Sequence, residues 1–256
     1  MQPPTRVIGI LSGKGGVGKT TTSANLSVAL SELNHRTLAV DGNLAFPNLA
    51  LHFGILNVPA DLQNVLEEKL DVEDVAIRYR DSKLKILQTS LRYKNTSYDN
   101  LAKVIQSVLD YDYVLLDCAP GGYMDPMKAF LASCTDVLLI TTPDYPSASA
   151  VAKIARMARE QKVRVLGVIL NRVQNKKFEL SKADIQKILD EKVICSIPED
   201  PMVPESISAR MPVVAYAPTS PAGRKYLELA RFIAAEAPMP EETLLQKIIA
   251  WFQRFF

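Results

Sequence analysis

Six short runs dominated by valine, isoleucine and leucine restrict this chain more than any other feature. They read RVIGILS (6–12), RTLAVD (36–41), LKILQTS (84–90), YVLLDC (113–118), DVLLITT (136–142) and VRVLGVILN (163–171). A strand with one face in water alternates apolar and polar residues, whereas a strand covered on both faces does not. The runs therefore predict strands of a parallel sheet buried between two helical layers. Lys19 to Leu33, Tyr98 to Leu109 and Ala148 to Gln161 carry helical periodicity between them. Repeated βα units with right-handed crossovers build a doubly wound, mainly parallel sheet with helices on both faces. A length of 256 residues suits one large α/β domain, and no internal repeat or low-complexity tract interrupts it.

Between the first strand and the first helix lies SGKGGVGKTT. Gly13 to Thr20 fits GxxxxGK[ST] in full, in the strand-to-helix context that this phosphate loop requires. Gly13, Gly15, Gly16 and Gly18 let the backbone N–H groups from Gly13 through Val17 and Gly18 to Thr21 wrap around phosphate oxygens. Lys19 reaches the same oxygens as a point charge, and the Thr20 hydroxyl is a ligand for Mg2+. The implied ligand is ATP or ADP with Mg2+. Asn171, at the end of the sixth run in LNRV and followed by Arg172, offers both a donor and an acceptor to an adenine edge.

Lys14 is a second lysine in a loop that needs only one. With it the loop resembles the KGGxGKT[ST] form of the deviant Walker A ATPases related to MinD and ParA, P-loop NTPases of the SIMIBI type. The resemblance covers nearly the whole domain and is closest to MinD-type members. It implies that Lys14 crosses a homodimer interface in the ATP state to reach the partner's phosphates, as an arginine finger does. It implies that Asp117, ending the run YVLLDC, is the Walker B carboxylate near Mg2+, and that the following APGG is switch II. It places Pro198, Glu199 and Asp200 over the base. In switch I the family carries Asp-x-Asp; here Asp41 is kept, near the metal and the attacking water, but the second position is Asn43. An asparagine can hold a water but cannot take its proton, so nucleotide binding is expected and slow hydrolysis with it.

The tail EETLLQKIIAWFQRFF follows a proline-containing break, EAPMPEE (236–242). This divides the chain into an ATPase domain (1–236), a linker (237–243) and an amphipathic helix (244–256). Leu244, Leu245, Ile248, Ile249, Trp251, Phe252, Phe255 and Phe256 share a stripe roughly 160° wide at 100° per residue. A helix of this kind lies in a membrane interface and is too short to span it, and MinD-like proteins carry a membrane-targeting helix in this place. The resulting expectation is an ATP-dependent dimerising switch, cytoplasmic and peripherally bound to the membrane, that positions partner proteins and answers to a protein activator. Three alternatives are a slow or non-hydrolysing scaffold, a flagellar-number regulator of the FlhG type, and a ParA-like DNA segregation ATPase. A net charge of +2 does not favour nucleic acid. Three dispersed cysteines without a CxxC pair argue against a disulfide framework or metal cluster. His35 and His52 read as surface or loop residues, and the tyrosines at 93–98 and 111–113 as packing.

Overall fold

The computed structural model describes residues 4–56, 58–92, 94–108, 110–119 and 124–235. Its elements in chain order are β1 (Arg6–Leu11), α1 (Lys19–Glu32), β2 (Thr37–Asp41), α2 (Leu49–His52), α3 (Leu62–Leu66), α4 (Val72–Val75), β3 (Ile77–Arg78), β4 (Leu84–Leu87), α5 (Leu101–Gln106), β5 (Tyr113–Asp117), α6 (Met124–Ser133), β6 (Asp136–Thr141), α7 (Tyr145–Glu160), β7 (Arg164–Val173), α8 (Lys182–Leu189), β8 (Val193–Pro198), α9 (Met202–Ser208), α10 (Val213–Tyr216) and α11 (Pro221–Ile233). The linker at 237–243, the tail helix at 244–256 and the glycines of switch II lie outside the described residues. No described helix is long and apolar enough to cross a membrane.

The sheet has eight strands in the order β3-β4-β2-β5-β1-β6-β7-β8. All neighbours run parallel except the edge pair β3 and β4, where Ile77 faces Ile86 across an antiparallel ladder. The doubly wound expectation holds, with all six apolar runs as strands. Two strands escaped it. β3 has only two residues, and β8 is an edge strand whose residues alternate between buried and half-buried instead of forming one apolar run.

Side chains two apart along a strand share a face. Val7 and Leu11 accordingly join the core layer beneath α3 to α8, while Ile8 and Ile10 join the layer beneath α1, α2, α10 and α11. Local chemistry sets the helix ends. α7 starts three residues before the predicted Ala148, because the Asp144 carboxylate accepts the Ser147 N–H at 2.9 Å and Pro146 sits in the first turn. α11 starts at Pro221 behind the Ser220 hydroxyl, which accepts from Gly223 N–H at 3.0 Å. The helix predicted from Tyr98 to Leu109 is shorter, Leu101–Gln106, and is preceded by a turn in which Leu101 N–H donates to the Tyr98 carbonyl. α1 differs from α7 and α11: Gly18 precedes it at φ 103° and no side chain caps its first N–H groups. Its N-terminus therefore presents uncapped donors to an anion.

Candidate functional site

Between β1 and α1 the chain closes tightly on itself. The buried Ser12 hydroxyl donates to the Lys14 carbonyl at 2.7 Å. Gly13 lies against α7 so closely that a Cβ there would stand 2.3 Å from the Ala150 carbonyl carbon. Gly18 combines its left-handed φ with a Cβ direction only 2.2 Å from Asn171 Nδ2. That nitrogen donates to the Val17 carbonyl at 2.7 Å, so the end of β7 clamps the loop from the side. The two middle glycines differ from this pair. Gly15 and Gly16 are exposed, and a Cβ on either would meet nothing within 4 Å. Space does not require a glycine at Gly16; its left-handed φ of 78° does, because the chain must turn there to aim successive N–H groups inward.

Lys19 opens α1 and is buried, and burial lowers its pKa against the opposing pull of Asp117. Asp117 ends β5 and Asp41 ends β2, as register partners on adjacent strands. Both are buried. Burial pushes the Asp117 carboxyl up to about 6, against the Thr20 hydroxyl, the Lys19 ammonium and the Ser23 hydroxyl, which donates to it at 3.3 Å. Burial, then the Asp117 charge, raises the Asp41 carboxyl, although Leu49 N–H at 2.9 Å and Asn43 N–H at 3.2 Å bond to it. Two desolvated carboxyls beside a threonine hydroxyl suit a hard divalent cation, whose charge would hold them ionised. Among the described residues no group of three or more His, Cys, Asp or Glu could hold a metal. A cation here would take its other oxygens from phosphate and water, as Mg2+ does.

Switch I leaves β2 through Gly42. Asn43 Nδ2 donates to the Phe46 carbonyl at 2.8 Å, and its Oδ1 accepts from Phe46 N–H at 3.3 Å. Both ends of the amide that was expected to hold a water are thus engaged within the loop. The Phe46 ring is 77% exposed. Tyr98 corrects its assignment as packing alone: its hydroxyl donates to the Gly42 carbonyl at 2.8 Å and accepts from Leu44 N–H at 3.2 Å. Neither partner lies near Tyr98 in sequence, so no local signal marks the bridge.

The remaining candidates meet at the same edge. Lys14 is exposed on the loop. It faces Asp144, whose carboxyl, which burial alone would raise, is held below the ordinary range by the Thr142 hydroxyl, Ser147 and the Lys14 ammonium. Arg172 is exposed and adopts a left-handed φ of 58°. Val173 and Pro198 are register partners, and Glu199 N–H donates to the Val173 carbonyl at 3.0 Å, which brings 198–200 beside Asn171 and Arg172. The buried Asp200 carboxylate accepts from Met202 N–H and Ala222 N–H, each at 2.9 Å, and so joins this segment to the start of α11. His52 is buried, not on the surface as expected, and its pKa falls to about 4 by desolvation. Cys118 is fully buried, as a small packing residue should be. A groove of about 720 Å3 is lined by Pro47, Leu51, Ile55, Gln88, Ser90 and Arg92, none of which belongs to the phosphate loop.

The CobQ/CobB/MinD/ParA nucleotide binding domain matches residues 8–213. An uncharacterized ATP-binding protein of Methanocaldococcus jannaschii is 37% identical over 89% of this chain and 88% of its own length. The septum site-determining protein MinD of Pyrococcus horikoshii, solved with Mg-ADP, superposes with a TM-score of 0.85 at 33% identity, covering 90% of this chain and 96% of its own. MinD of Aquifex aeolicus, solved as a MinC:MinD complex, gives a TM-score of 0.81 at 27% identity over 93% of this chain and 98% of its own.

Proposed function

The chain belongs to the CobQ/CobB/MinD/ParA nucleotide-binding family, and from that premise we propose that it is an ATP-dependent switch that dimerises on ATP, binds a membrane through its tail and positions a partner protein. The observation that carries this reading is the division of labour between two lysines. Lys19 is buried beside Asp117, within the uncapped N-terminus of α1, and completes the phosphate site of its own subunit. Lys14 stands exposed on the outer side of the same loop, where a second subunit's phosphates would meet it.

Thr20, Asp117 and Asp41 fit the Mg2+ that accompanies ADP in the Pyrococcus relative. When bound, that cation neutralises charge on the β- and γ-phosphate oxygens. The N–H groups of residues 13–21 cradle the phosphates. The Asn171 amide, whose Nδ2 also holds the Val17 carbonyl, and the neighbouring Arg172, with Pro198 and Glu199, enclose the base, while Asp200 keeps that segment folded. Lys14 stabilises charge developing in the partner's site. Asn43 orients the attacking water once it leaves Phe46, and its lack of a basic oxygen makes turnover slow. The apolar stripe from Leu244 to Phe256 gives marginal membrane affinity as one copy, and a dimer carrying two copies gains roughly 10²–10⁴ in avidity. A protein partner or activator, of the class that MinC represents for the Aquifex relative, reads the ATP dimer.

Sedimentation with anionic liposomes tests the reading. Pelleting is expected with a non-hydrolysable ATP analogue and not with ADP, and it should disappear in a protein lacking residues 241–256. Equal pelleting in both nucleotides, or pelleting without the tail, would remove the switch. The engaged amide of Asn43 also favours a second reading, a nucleotide-dependent scaffold that does not hydrolyse. Phosphate release separates the two.

A further inference from the structure

Switch I is held at one end by the Asp41 carboxylate and, from outside the loop, by the Tyr98 side chain. The Tyr98 hydroxyl gives its proton to the Gly42 carbonyl and receives the Leu44 N–H, so it grips the backbone on both sides of Asn43. Gly42 is itself wedged: its N–H donates to the Asp117 carbonyl at 2.9 Å, and a Cβ there would stand 2.9 Å from Phe130 Cε1. The Tyr98 ring meets the ring of Phe130 edge-on at 5.1 Å, and Phe130 belongs to α6, the helix that follows switch II. Tyr98 therefore touches switch I directly and the element beyond switch II through one aromatic contact. Its phenol stays protonated at neutral pH, since burial pushes its pKa up to about 12.

Between the two gripped peptide units the Asn43 amide is turned onto Phe46. An asparagine in that state has its strongest donor and acceptor directions committed within its own loop. We propose that Tyr98 is a positioning residue that latches switch I in a resting arrangement, with Asn43 held on Phe46, and that the latch must open before Asn43 can orient water at the nucleotide. The inference rests on the reading of Asn43 as the water-holding side chain of an ATPase. It adds the residue that controls access to that role. Release would also free the exposed Phe46 ring to move with the loop.

Tyr98→Phe keeps the ring against Phe130 and removes only the bridging hydroxyl. Amide hydrogen exchange of the nucleotide-free protein reads the latch without any chemistry. The segment 42–49 is expected to exchange about 5–10-fold faster in the variant, because both bonds of the hydroxyl are lost while the Leu44 N–H keeps its bond to the Gly42 carbonyl. Steady-state phosphate release reads the consequence: kcat should rise by a similar factor while KM for ATP stays within about two-fold, because nucleotide binding does not pass through the latch. A mere packing role would shift melting temperature and leave this split unchanged. Unaltered exchange overturns the proposal, and so does faster exchange with slower turnover, which would make the bridge part of the active arrangement. Faster exchange with no phosphate release from either protein upholds the latch and overturns the ATPase reading instead.

Discussion

Asp41 and Asp117 are register partners at the carboxyl ends of adjacent parallel strands, and each is fully desolvated within reach of the other's charge. An acid whose pKa is raised in the folded state binds more protons there than when unfolded, so its ionisation costs stability as pH rises. The Asp117 pKa moves from 3.8 to about 6. Its penalty is therefore absent below pH 4, grows between 4 and 6 and is complete above that, on the order of 3 kcal/mol. Asp117→Asn should accordingly be more stable than the wild type at pH 8 without nucleotide, and the difference should vanish near pH 4. Thermal unfolding at both pH values checks this; a variant less stable than the wild type at pH 8 would contradict it.

The two lysines of the loop should separate binding from dimerisation. Lys19→Ala removes the buried cation of its own subunit and should lose tight nucleotide binding. Lys14→Ala removes an exposed one and should keep most of the affinity while losing the ATP-dependent dimer. Light scattering after size exclusion measures the second effect, and a Lys14→Ala protein that dimerises as the wild type does would remove the role in trans.

Loop geometry predicts a specific coupling between Gly18 and Asn171. Gly18→Ala places a Cβ against Asn171 Nδ2 and forces an L residue to φ 103°, a conformation that costs about 1–2 kcal/mol even without the clash. Asn171→Ala leaves the Val17 carbonyl without its donor, at about 1–3 kcal/mol. Each single change should weaken ADP binding by roughly tenfold or more, since both disorder the loop. In the double variant the clash is gone and the costs should be less than additive. Calorimetric titration of the four proteins tests this, and strict additivity would show that the contact does not shape the site.

Replacing Asn43 by Asp restores the carboxylate with almost no change of volume. If proton transfer to this side chain limits turnover, the variant should release phosphate roughly 10²–10⁴-fold faster. It should also leave liposomes sooner. Equal or slower single-turnover rates would show that the carboxylate is not what limits this chain.

The division between what sequence determines and what tertiary structure decides follows the range of the interactions. Six strands were legible because strands covered on both faces must be apolar along their whole length, and the phosphate loop because its glycines, lysine and threonine act within eight consecutive residues. Asp117 and Asp41 could be placed because each ends such a strand. The loop's glycines looked alike in the sequence, and only packing separates them: Gly13 and Gly18 are crowded by Ala150 and Asn171, whereas Gly16 is free of neighbours and is needed for its backbone angle. β8 was not legible, since an edge strand needs apolar residues on one face only, and helices of four or five residues such as α2 and α3 carry too few turns to show a period. His52 looked peripheral, yet the fold buries it. The pKa of about 6 at Asp117 arises only when packing buries the end of β5. The grip of Tyr98 on Gly42, 56 residues earlier, depends on the segment ahead of α5 lying against switch I. Local patterns thus mark most of the strands and single out the glycine-rich loop between β1 and α1. The desolvation, charge pairing and long-range hydrogen bonds that tune the site exist only between segments distant in the chain, so packing alone decided them.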